Sequence, residues 1–184
     1  MSEYVELHTL SNFSFLRGAS HPEELVQQAA SLGYRGLALT DLCSLSGIVR
    51  AHSAAEACDL KLITGAEFRL DDDVRLVLHA QTRVGYACSG RLISHARRAA
   101  EKGDYLLTTE ALEQFLSAGL LDECNVLWVP GRRFTLPPSM ALLPELARGR
   151  LWIAAELFPD GLHRLRLDAL CRLSAHFGIP LVAA

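Results

Sequence analysis

The chain has 184 residues, half of them hydrophobic, enough to bury one substantial core and too few for more than about one domain. Its 18 basic and 21 acidic residues leave a net charge of -3, which excludes binding a polyanion through a global positive field. Cys43, Cys58, Cys88, Cys124 and Cys171 are odd in number and scattered, with no C-x-x-C pair, so neither a disulfide framework nor a zinc finger is expected, and a reducing cytoplasm fits.

Tyr4 to Thr9 reads as a strand, followed by a polar and aromatic loop. Ser20 with Glu23 three residues on predicts a helix start capped by the serine, and Gly33 ends that helix. Gly36-Leu37-Ala38-Leu39-Thr40 is a small, apolar run of the kind buried on both faces of a sheet, and it stops at Asp41. A helix over 48–58 leads to a strand over 61–70. An acidic turn at Asp71-Asp72-Asp73 then leads to a strand over 74–80 and a long helix over 84–101.

Thr108 or Thr109 caps a short helix. Strands are expected over 125–129, closed by Pro130-Gly131, and over 151–155, with the best loop candidate between them at 132–138. A last helix over 161–177 turns through Gly178-Ile179-Pro180 into a strand at 181–184. Strands alternating with helices predict an α/β fold with parallel pairing, either an open doubly wound sheet or a β/α barrel. No apolar run reaches bilayer length, so no membrane contact is expected.

In such folds chemistry collects where strands run out into loops. His8 ends the first strand, Asp41 the second, and Glu67 lies late in the third, so all three are expected to converge on one mouth. An imidazole with carboxylates can hold zinc or manganese, and a bound metal generates hydroxide able to attack a phosphoester at neutral pH. Arg91, Arg97 and Arg98, with His95, make one helix locally basic, read as a solvated face or as a nucleic-acid or partner surface. No phosphate-cradling glycine motif or nucleophile elbow is present.

Taken together, Leu7-His8-Thr9-Leu10-Ser11-Asn12-Phe13-Ser14-Phe15-Leu16-Arg17-Gly18-Ala19, Leu37-Ala38-Leu39-Thr40-Asp41, Leu62-Ile63-Thr64-Gly65-Ala66-Glu67-Phe68 and Leu76-Val77-Leu78-His79-Ala80 resemble the PHP (polymerase and histidinol phosphatase) domain. The likeness is nearest to the N-terminal domain of bacterial C-family, DnaE-like DNA polymerase III alpha subunits, and 12–25 is especially similar to their error-prone branch.

The resemblance implies a distorted β/α barrel, incomplete at its C-terminal end, with 1–184 a single PHP domain that stops before the last Asp-x-His ligand motif and before the polymerase module. It implies a metal cluster in active members, but here Leu10, Arg17, Leu42 and Arg75 stand at four expected ligand positions, and His79 is out of register. Leucine offers no lone pair and a guanidinium cannot ligate. His8, Arg17, Asp41, Glu67 and Arg75 are therefore read as a vestigial site with no metal and no catalytic residue, Arg17 and Arg75 pairing with Glu67 and Asp41 in place of lost cations.

The function implied is a non-catalytic part of an error-prone DNA polymerase used in replication, repair and translesion synthesis. The alternative is a metal-dependent phosphoesterase or 3′-5′ exonuclease carrying zinc or manganese. The implied partners are the parent's polymerase module, DNA through the parent, and other replication or mutagenesis proteins. A truncated barrel edge would also favour homo-oligomers.

Overall fold

The computed structural model describes residues 4–131, 149–159 and 161–184. Seven strands form one sheet in sequence order: β1 (Val5–Thr9), β2 (Gly36–Leu39), β3 (Lys61–Arg69), β4 (Arg75–Ala80), β5 (Cys124–Trp128), β6 (Leu151–Ala155) and β7 (Leu181–Ala183). The sheet curls into a nearly closed, barrel-like α/β fold. Five described helices accompany it: α1 (Pro22–Ser31), α2 (Ile48–Cys58), α3 (Arg83–Arg98), α4 (Thr109–Ser117) and α5 (His163–Phe177).

The expected parallel pairing needs a correction at one strand. β1, β2 and β3 run parallel, as do β5, β6 and β7, but β4 is antiparallel to both β3 and β5. The acidic turn is the reason. Only a few residues separate β3 from β4, enough for a hairpin and far too few for a parallel crossover. A Leu70 N–H to Val74 carbonyl bond of 2.8 Å closes the turn, with Asp73 at φ +70.

A second correction concerns the first helix. Its N-cap is His21 and not Ser20, and the Glu24 carboxylate accepts from the His21 backbone N–H at 2.8 Å. The capping box lies one residue later because Pro22 takes the first helical position, where a missing N–H costs nothing. Thr108 caps α4 as expected, accepting from the Ala111 N–H at 3.1 Å. The loop expected at 132–138 lies outside the described residues.

Strand side chains alternate between two faces. On the outer face Phe68, Leu76, Leu78, Val126, Trp128 and Ile153 bury against Leu92 and Ala96 of α3, Leu112 and Leu116 of α4 and Leu170 of α5. Leu37 and Leu39 of β2 meet Val26 and Ala29 of α1 and Ala51 and Ala55 of α2. On the enclosed face Val77, Leu127, Val129 and Ala154 form a smaller cluster, against which Leu7 of β1 and Val182 of β7 pack from the two ends of the sheet.

Candidate functional site

The parallel strands all run out at one end, and β4, running the other way, begins there. Between Glu6 and Thr9 the β1 register against β2 slips: Glu6 faces Leu37, yet Thr9 faces Leu39, so β1 carries one extra residue. A regular strand would send Leu7 and His8 to opposite faces, and the slip re-aims them. Leu7 joins the enclosed cluster while His8 also turns inward, onto Glu67. The β2 terminus is clamped beside it, with the Cys43 N–H on the Glu67 carbonyl at 2.8 Å and the Glu67 N–H on the Asp41 carbonyl at 3.1 Å.

His8 lies between two carboxylates. Its Nε2 is 2.7 Å from Glu67 Oε2 and its Nδ1 is 2.6 Å from Glu156 Oε1. Burial alone would lower its pKa, but the hydrogen bonds and charges of Glu156 and Glu67 outweigh burial and push it up to about 9. The ring is an imidazolium that donates from both nitrogens.

Arg17 closes the other side of Glu67, donating to Oε1 from Nη1 and to Oε2 from Nη2 at 3.2 Å. Burial would raise the Glu67 pKa, yet His8 and Arg17 overcome it and hold the carboxyl at about 2. Glu156 is likewise lowered against the effect of its burial, by its hydrogen bond to His8 and then by the charges of His8, Arg75 and Arg166.

Asp41 is 1% exposed, and among the described residues its hydrogen-bond donors are neutral. Its Oδ1 accepts from the Ser11 N–H at 2.8 Å and the Ser14 hydroxyl at 2.6 Å, and its Oδ2 from the Ser11 hydroxyl at 2.7 Å. Ser14 in turn accepts from the Leu42 N–H at 2.9 Å.

The convergence of His8, Asp41 and Glu67 on one mouth is thus observed, and so is the Arg17 to Glu67 pair. The pairing expected for Arg75 is not, and this is a correction. Arg75 opens the reversed strand, where its Nη2 reaches the Pro130 carbonyl at 3.5 Å and its charge bears on Glu156. Asp41, expected to take an arginine, is satisfied by neutral donors. His79 lies at the opposite end of β4, its Nε2 donating to the Leu7 carbonyl at 2.8 Å. Burial lowers its pKa to about 4.

Of Arg91, Arg97 and Arg98 on α3, Arg97 folds back onto neighbouring backbone. Its guanidinium donates to the carbonyls of Leu42, Cys43 and Asp104 and stacks on the Tyr105 ring at 5.5 Å. Arg91, Arg97 and Arg98 are all exposed.

Four participants went unread in the sequence. Glu156 directly follows the strand 151–155, so the rule that found His8 and Asp41 would have found it. Ser11 and Ser14 carry no such signal, because they act through a loop conformation. Arg166 is buried at 7% exposure and fixes the Glu156 backbone, Nε donating to that carbonyl at 2.6 Å and Nη2 to the Pro130 carbonyl at 3.0 Å.

A metal does not fit this donor set. Both nitrogens of His8 and both oxygens of Glu67 are directed at protein partners, and one of those partners is a guanidinium lying against the carboxylate. Among the described residues no group of three or more His, Cys, Asp or Glu side chains is arranged to hold a metal ion.

The PHP domain family model matches residues 6–128, more than half of the chain. The chain belongs to the PHP domain family. It is 51% identical over 180 residues to an error-prone DNA polymerase of Methylococcus capsulatus, a match covering 98% of this chain and 17% of that protein. An error-prone DNA polymerase of Dechloromonas aromatica is 49% identical over 183 residues, covering 100% of this chain and 18% of its own length. The chain therefore spans about a sixth of the curated relatives it matches.

Among solved structures, a candidate metal-dependent phosphoesterase from Bifidobacterium adolescentis superimposes with a TM-score of 0.69 at 14% identity, over 100% of this chain and 87% of the other. An amidohydrolase from Chromobacterium violaceum superimposes with a TM-score of 0.60 at 16% identity, over 98% and 86%. At such identities the likeness is one of fold.

Proposed function

We propose that this PHP domain is the N-terminal part of a longer error-prone DNA polymerase acting in DNA replication, repair and translesion synthesis, where it serves as a non-catalytic structural or interaction unit. The observation that carries the reading is the state of Glu67. A bridging carboxylate must offer free lone pairs to cations, and here both oxygens accept from His8 and Arg17, side chains that bring their own positive charge. Such built-in cations keep a buried acid compensated with no ion supplied from solution. The high identity to error-prone polymerases supports the parent's activity, and the polymerase module, DNA and other replication or mutagenesis proteins are its proposed partners. No described helix is long and apolar enough to cross a membrane, and a cytoplasmic location suits such a parent.

Elemental analysis of protein purified without chelators tests the site. Substoichiometric zinc and manganese are expected, together with no metal-dependent hydrolysis of a 3′-labelled oligonucleotide. Tightly held stoichiometric metal, or hydrolysis abolished by Glu67→Gln, would overturn the non-catalytic reading in favour of a PHP phosphoesterase or exonuclease. Primer extension by the full-length protein across a damaged template tests the parent's activity separately.

A further inference from the structure

The loop 11–18 is tied to the mouth at every turn, yet its tip points two large apolar side chains into solvent. Phe15 is 83% exposed and Leu16 89%. Leu16 also sits at φ +61, in the left-handed region that is strained for a side-chain-bearing residue.

Several ties hold that strained turn in place. The Arg17 and Gly18 N–H groups donate to the Ser14 carbonyl at 2.9 and 3.0 Å, and the Ser14 N–H to the Ser11 carbonyl at 2.9 Å. The Ser14 hydroxyl is locked on Asp41 and the Arg17 guanidinium on Glu67. Gly18 approaches so closely that a Cβ there would lie 2.0 Å from the Ser11 carbonyl oxygen.

A loop that merely connected β1 to α1 would be more stable with glycine at the left-handed position and polar residues at the tip. Strain maintained in order to expose apolar surface points to a contact.

Across the same mouth Leu157 is 49% exposed, Leu162 57% and Leu165 67%, in the segment leading into α5 and in its first turn. Because β7 runs parallel to β6, Ala184 leaves the barrel at this end too. In the matched relatives some five-sixths of the polypeptide lies outside the region shared with this chain, whose match is to their N-terminal part. Charge argues against nucleic acid as the occupant, since the cation next to this tip among the described residues, Arg17, is already paired with Glu67. An apolar recess in a protein surface is the complementary partner.

We propose that Phe15 and Leu16 form a rigid docking knuckle that seats in the polypeptide following Ala184 in the longer protein, and that Asp41 and Glu67 brace it. The inference rests on the reading that this chain is part of a longer polypeptide, and it is independent of whether that polypeptide copies DNA.

Hydrogen exchange of the 184-residue chain and of the full-length protein tests it. In the full-length protein the amides of Phe15 and Leu16 are expected to exchange about tenfold or more slowly than in the short chain. The double variant Phe15→Ser, Leu16→Ser should leave the short chain's melting temperature within about one degree, as surface changes do. In the full-length protein the same variant should remove the added protection. Equal exchange in the two proteins would overturn the proposal. So would a concentration-dependent dimer of the short chain that the double variant abolishes, because the occupant would then be a second copy. Failure of lesion synthesis by the full-length protein would count against the proposed function and leave the exchange result standing.

Discussion

Asp41 and Glu67 end or nearly end adjacent strands at one mouth, 1% and 0% exposed, and the protein stabilises their charges in two different ways. Asp41 accepts from two hydroxyls and an amide, all neutral and all from the loop that follows β1. Glu67 is compensated by two formal positive charges, from His8 and Arg17. Neutral donors make a carboxylate part of the loop's geometry, whereas cations make it part of a charge balance that responds to pH and to the loss of any one member. The same buried acid chemistry therefore yields a fixed anchor for a loop in one place and an electrostatic keystone in the other.

The comparison is broken most directly at Glu67. Glu67→Gln leaves the imidazolium and Arg17 facing one remaining carboxylate, Glu156, and should cost about 3 kcal/mol in urea unfolding, at the low end for a broken buried pair because Arg17 is partly exposed. A loss under about 1 kcal/mol would show that the charges relax into solvent.

An effect of comparable size comes from pH. In the unfolded chain His8 loses its proton near 6.5 and in the fold near 9, so its stabilisation is whole below pH 6.5 and disappears as pH rises to about 9. Glu67, normally at 4.5 and held at about 2, stabilises above 4.5 and is lost as pH falls toward 2. His79, buried and neutral, drops from 6.5 to about 4, so its contribution is whole above 6.5 and fades down to 4. Urea midpoints should peak near pH 6.5, and His8→Gln should flatten the alkaline side of that profile. An unchanged alkaline limb in the variant would remove His8 from the account.

At Asp41 the expected cost is lower. Asp41→Asn keeps the shape and loses charge-assisted acceptance from three donors, about 1–2 kcal/mol. Should this variant prove worse than Glu67→Gln, the contrast between the two acids would be reversed. The smallest change, Ser14→Ala, removes one donor to Asp41 and the acceptor for the Leu42 N–H, about 1 kcal/mol, read by thermal melting.

Much of this was legible in the sequence because strand ends are marked by composition. The runs 36–39 and 151–155 are apolar and stop at polar residues, and α2 spans 48–58 as its pattern predicts. The reversal of β4 was hidden in plain view, since a three-aspartate turn is too short for a crossover. Arg17 was readable as a substituted ligand through the family resemblance. The place of Arg75 was not, because its position depends on the direction of β4. Ser11 and Ser14 were illegible for a different reason: their role depends on loop backbone, Leu16 at positive φ included, which no periodicity encodes.

The reversed strand also bears on the order in which the chain can assemble. The β3–β4 hairpin closes a loop of only a few residues, while pairing β1 with β2 must first enclose the whole of α1, so the hairpin has the lower entropic barrier. Emerging midway through synthesis, it can act as a template: β2 and β1, already made, add along its β3 edge, and β5, β6 and β7 add along its β4 edge as they appear.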